Sequence, residues 1–168
     1  MRFIAMTALL LGSLTAQAAD IKIAVVDMQR ALQSVDAGKK AKSSLESEFN
    51  AKKKALLDEE EKIKKMGEDF KKQSLVLNDD AKAKKQNEIQ ERLLKYRETF
   101  SKAQMDIQNK ERQLTEPIIN NIRKIVEDLG NSKGYTIILE KNENSVLFSQ
   151  QKDDLTEEVV KLFNKKNG

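Results

Sequence analysis

The chain has 168 residues with no Cys, no His and no Trp, which excludes disulfides, thiolate or imidazole metal sites and any nucleophile paired with a histidine base. One Pro and six Gly against 35% charged residues mark a helical chain with little loop. The net charge of +4 falls to +3 if Arg2 leaves with a leader, too mild for a dedicated polyanion binder.

Residues 1–18 have the order of a secretory signal peptide. Arg2 gives a positive start, residues 3–14 form an uncharged apolar run, and Ala16-Gln17-Ala18 is an A-x-A cleavage pattern. The run is shorter than the about 20 apolar residues of a spanning helix. The expectation is export across a bacterial inner membrane into the periplasm as a soluble protein, with no cysteine at the cleavage point to carry a lipid.

Residues 21–27 (IKIAVVD) are apolar, β-branched and of strand length, and residues 28–35 read as a short helix. From Gly38 to about Leu77 a helical period takes over. Phe49, Leu56, Ile63, Phe70 and Leu77 recur every seven residues as heptad position a. The matching d positions, Leu45, Lys52, Glu59, Met66 and Gln73, are only half apolar. Asn78-Asp79-Asp80 then supplies side-chain acceptors for the free N–H groups of a new helix. Its stripe runs through Ile89, Leu93, Tyr96, Phe100, Ala103, Ile107 and Leu114. Two long striped helices with a short connector predict an antiparallel coiled-coil arm over residues 36–116, with its tip near 76–81 and a length of about 50 to 60 Å. Gly67, which loosens the first helix, and Pro117, which removes a hydrogen bond from the second, are hinge candidates.

Past Pro117 the apolar spacing shifts phase through Ile118, Ile122, Ile125 and Leu129, a stutter that sets the base of the arm there. Gly130 and Gly134 are expected to end the helix. Residues 135–140 (YTIILE) predict a second strand, 141–144 a turn and 146–149 a third strand. Asp154-Leu155-Thr156-Glu157 reads as a capping box, with Asp154 as cap and Glu157 at N3, ahead of a last helix burying Val159, Val160, Leu162 and Phe163. Residues 19–35 and 117–168 thus form a body of three strands plus short helices. The fold class is mainly α with a small β body from which the arm projects. That body has 69 residues, and without disulfide or metal it is below the size that rarely needs a partner, about 70 to 80 residues. It is expected to oligomerise, through Ile23, Val25, Ile137, Leu139, Val146 and Phe148.

No constellation for catalysis emerges, and the chain reads as a non-enzyme without a cofactor. Residues 130–134 (GNSKG) are too short for a phosphate loop and follow a helix where a strand is required. The carboxylates of residues 58–61 lie at consecutive helical positions and diverge, so they form no metal site. Charge placement says more. Residues 62–97 carry eleven Lys or Arg against six Asp or Glu, and Lys71, Lys72, Lys82, Lys84 and Lys85 form a basic patch at the tip. Such a patch attracts acidic partners or anionic lipid at long range and weakens with salt. The half-polar seam predicts an arm that flexes and bares Met66, Phe70, Leu75 and Leu77 for many weak contacts with an unfolded chain.

The strand IKIAVVD, the long charged hairpin and the closing run GYTIILEKNENSVLFSQQKDDLTEEVVKLF together resemble the Skp, or OmpH-like, periplasmic chaperones. The resemblance covers nearly the whole chain after the leader and is most specific at its two ends. It implies a homotrimer whose strands build a central body and whose arms surround a cavity carrying unfolded outer-membrane proteins without ATP. For some members it also implies lipopolysaccharide binding through basic arm residues. Two other readings stay open: an envelope coiled-coil spacer, and a peripheral membrane or lipopolysaccharide binder. A nucleic-acid partner is not expected, since export removes the chain from nucleic acid and no stacking surface or reading motif is present.

Overall fold

The computed structural model describes residues 21–142 and 144–167; the expected signal peptide lies outside them. Strand β1 (Ile23–Val26) leads through helix α1 (Met28–Ser34) into α2 (Asp36–Gln73), which is joined at the tip to α3 (Asp79–Lys133). Strand β2 (Ile137–Glu140), a short 3-10 turn (Gln151–Asp153) and helix α4 (Thr156–Asn167) complete the chain. Among the described residues no helix is long and apolar enough to cross a membrane.

β1 and β2 pair in parallel, Ile23 opposite Ile137 and Val26 opposite Glu140. A parallel pair needs a crossover, and here the entire α1–α2–α3 excursion is that crossover. On the other side of β1 the chain returns at residue 154. Leu155 N–H donates to the Val25 carbonyl at 2.9 Å, and Val25 bridges Asp154.

The core lies where these elements converge. Ala24 and Val26 of β1 meet Ala31 of α1, Ile122, Ile125 and Leu129 of α3, and Val159 and Phe163 of α4. Two polar groups staple the layers. Asp27 Oδ1 accepts from Arg30 N–H at 2.8 Å to cap α1, while Asp27 N–H donates to the buried Thr156 hydroxyl at 2.9 Å. The corner from α1 into α2 closes on Gly38, where a Cβ would stand 1.7 Å from the Leu32 carbonyl oxygen. Only glycine lets the two helices meet so closely.

Four expectations change. Residues 146–149 form no strand: the sheet has two strands among the described residues, and the far edge of β2 stays unpaired. The α3 helix runs through Gly130, where a Cβ would stand in ordinary contact with Ile138 of β2 at 3.4 Å, and ends at Gly134, which takes φ 66°. Helix α4 begins at Thr156, and Glu157 pairs outward with Arg30 instead of reaching back to a cap. Asp154 accepts from the Thr156 N–H at 3.0 Å and hydroxyl at 2.6 Å. Finally, Leu162 of α4, expected on its buried face, is exposed; α3 runs through Pro117 in keeping with its stripe, and its buried positions begin at Ile118.

Candidate interaction surfaces

Among the described residues the arm is two helices and nothing else. At 1.5 Å per residue the 38 residues of α2 extend about 57 Å. Asn78 Oδ1 accepts from Ala81 N–H at 2.9 Å and starts α3 as the Asn-Asp-Asp run suggested. Between residues 42 and 117, Ile63 is the one apolar side chain in the described structure that is buried. Leu56, Met66, Phe70, Leu77, Leu93 and Tyr96 are half-buried along the seam.

The polar d positions are not simply weak points. Lys52 Nζ reaches across to Asp106 Oδ2 at 2.9 Å. Glu59 accepts from Arg92 through both oxygens, at 2.6 Å from Nε and 3.2 Å from Nη2, the bidentate geometry that suits guanidinium and carboxylate. The hydrogen bond to Lys52, then its charge, holds the Asp106 carboxyl below the usual range, and the Arg92 hydrogen bond does the same for Glu59. Lys52 and Arg92 are shifted upward by the same bonds. Between the two pairs lies a cavity of about 150 Å³, open to solvent at the exposed Ala55 and lined also by Leu56, Tyr96 and Ala103. Within the 58–61 carboxylate run, Glu59 turns inward while its neighbours are exposed. No converging set of metal-binding side chains occurs among the described residues.

The predicted contact residues separate. Leu75 at the tip is 88% exposed and Val76, not singled out from the sequence, 85%. Met66, Phe70 and Leu77 face the seam, and Met66 Sδ lies 3.8 Å from Arg92 Nη1. Lys71, Lys72 and Lys84 are exposed, whereas Lys85 is half-buried and Lys82 is half-buried and paired with Asp79 at 3.7 Å. Gly67 has nothing within 4 Å of a built Cβ, so its place is open and not a packing requirement.

Further apolar side chains stand off the seam: Phe49 and Leu57 on α2, and Leu94, Phe100 and Met105 on α3. Phe49 and Phe100 were expected inside it. A straight helix drifts relative to a seven-residue repeat, and with only one partner helix such positions swing into solvent. Leu94 and Met105, eleven residues apart and so on one face, were missed because they lie outside the heptad stripe.

On the body, Ile23, Ile137, Leu139 and Phe148 are exposed, Val146 is half-buried, and Leu147 is 96% exposed. Val25 is instead covered by the returning chain at Leu155. The far edge of β2 carries no strand among the described residues.

Residues 22–163 match the family model described as Outer membrane protein (OmpH-like). The chain is similar to the chaperone protein Skp of Yersinia enterocolitica, 28% identical over 156 residues and covering 90% of each chain. Its fold is also that of a solved OmpH-like outer-membrane chaperone candidate from Caulobacter crescentus CB15. That likeness has a TM-score of 0.75 at 13% identity and covers 99% of this chain and 90% of the other.

Proposed function

The chain belongs to the OmpH-like family of non-enzymatic chaperones, and from that premise we propose that it is an ATP-independent holdase of the periplasm. It binds unfolded outer-membrane proteins between helical arms and prevents their aggregation. The observation that carries this reading is the row of exposed apolar side chains on a two-helix arm that no third layer covers among the described residues: Phe49, Leu57, Leu94, Phe100, Met105, and Leu75 with Val76 at the tip. Single exposed apolar residues are ordinary. Spread along about 57 Å of charged scaffold, they suit many weak contacts with an extended chain. The same charges keep the arm itself soluble.

Self-association is supported by the body. Ile137, Leu139, Leu147 and Phe148 are exposed beside an unpaired strand edge, and an exposed edge is a template for pairing with another chain. The homotrimer follows from the family resemblance, and periplasmic residence from the leader pattern of residues 1–18 together with that resemblance.

The test is to dilute a urea-unfolded outer-membrane β-barrel protein into the purified chain without nucleotide, with mass read by light scattering. A defined complex of a trimer with soluble client is expected; a monodisperse oligomer beside aggregated client would sink the reading and leave an envelope spacer. Leu75→Glu is expected to keep the oligomer and its melting temperature while lowering the amount of client held. Unchanged holding would remove Leu75 from the contact surface.

A second reading has its own observation, the exposed Leu75-Val76 pair beside Lys71, Lys72 and Lys84. An apolar tip ringed by cations suits anionic lipid or lipopolysaccharide. Co-sedimentation with anionic but not neutral vesicles, without client, checks it.

A further inference from the structure

The two charge pairs across the arm are each surrounded by a second choice. Lys52, bonded to Asp106, also has Glu48 of its own helix at 4.0 Å. Glu59, bonded to Arg92, also has Lys62 at 3.6 Å. On α3, Lys102 stands four residues before Asp106 and Glu88 four before Arg92, the spacing at which side chains meet on one helix face. Every group in the two pairs therefore has an opposite charge on its own helix. When the helices part, each charge meets water and keeps an opposite charge on its own helix, so part of the lost pairing energy is replaced and the polar seam opens at low cost. Between the pairs lies the cavity of about 150 Å³ whose apolar lining is Ala55, Leu56, Tyr96 and Ala103.

We propose that Lys52–Asp106 and Glu59–Arg92 are exchangeable latches. In the closed arm the charges pair between helices; when the middle of the hairpin opens, each turns to its neighbour on the same helix, and the lining of the cavity is offered to an unfolded client. This rests on the holdase reading for its client, whereas the opening itself concerns the free protein. The latch groups keep 28% to 40% of their side-chain surface exposed, within reach of screening ions.

The experiment is amide hydrogen exchange of the free, full-length oligomer as salt rises from about 0.1 to about 1 M, which shortens the screening length from about 10 to about 3 Å. Amides of residues 48–66 and 88–106 are expected to exchange about fivefold faster at the higher salt, with the core amides of residues 118–129 unchanged. Glu48→Gln with Lys62→Gln, which removes the second choices on α2 and leaves both latches, should slow exchange of the same amides about threefold at the lower salt, because the open arm no longer offers Lys52 and Glu59 a partner. Equal exchange of the two proteins at the lower salt, or no rise with salt in the wild type, overturns the latch. Lys52→Met with Asp106→Leu closes the seam with apolar groups and should hold less client than wild type at low salt. Equal holding overturns the opening of the cavity to client while leaving the salt response intact. If the wild-type protein holds no client at all, the holdase reading falls, and the exchange data still decide the latch.

Discussion

The body and the arm are built from the same helical vocabulary but held by different forces. In the body, side chains from a strand and three helices interlock until Ala24, Val35, Ile122 and Val159 have no exposed surface. In the arm, two helices meet along one stripe, Ile63 is the one apolar residue buried there among those described, and charge pairs occupy two of the layers. Packed cores resist small changes of shape, whereas segments with few buried contacts open locally at low free energy. One region is suited to hold an assembly together, the other to adapt to what it touches.

That contrast is testable residue by residue. Ile122→Ala deletes a fully buried side chain and should lower unfolding free energy by about 4 kcal/mol, whereas Leu56→Ala in the half-buried seam should cost about 1 kcal/mol. Urea titration followed by circular dichroism measures both, and equal losses would erase the distinction. Gly38→Ala forces a methyl group into the Leu32 carbonyl and should cost about 3 kcal/mol, with the α1–α2 corner displaced. A loss below about 0.5 kcal/mol would mean that the corner yields freely.

Gly67→Ala should act in the opposite direction. With open space around the position, the substitution is expected to stabilise the arm by about 1 kcal/mol through helix propensity. If client holding survives that change, Gly67 is not a required hinge.

Smallest near neutrality is the effect of pH. Asp106 and Glu59 titrate below their ordinary values when folded, so their contribution is present above about pH 4 and is lost as pH falls through the lowered values. Lys52 titrates above its ordinary value, so its contribution is present below about pH 10 and lost as pH rises through the raised one. Arm protection should therefore be level between about pH 5 and 9. A transition near pH 6 would contradict these pairings. The body has an acid response too. Burial pushes the Asp154 carboxyl up, but the Thr156 hydroxyl and the Lys141 ammonium together outweigh it and leave it below the usual range.

The strength of the sequence lay in its periodic stretches. The seven-residue recurrence from Phe49 to Leu77, the Asn78 cap and the 3.6-residue stripe of α3 each depend on residues a turn or two apart, so α2 and α3 were legible to within a few positions. Strand β1 announced itself by β-branched residues in the same local way. The contact surface was less legible, because solvent exposure along a stripe depends on how many helices surround it. With one partner, Phe49 and Phe100 emerge and Met66 does not.

What the linear chain encoded was therefore the list of elements, their amphipathic faces and the charge of the tip. Tertiary structure decided who meets whom. Lys52 and Asp106 are 54 residues apart and Glu59 and Arg92 are 33 apart, pairings that exist only once the turn at 74–78 sets the register of the two helices. In the same way Gly38 is indispensable only because α1 folds back against α2, and Val25 is sheltered only because residue 154 returns beside it. Such contacts are fixed by three-dimensional closure, which no short-range pattern records.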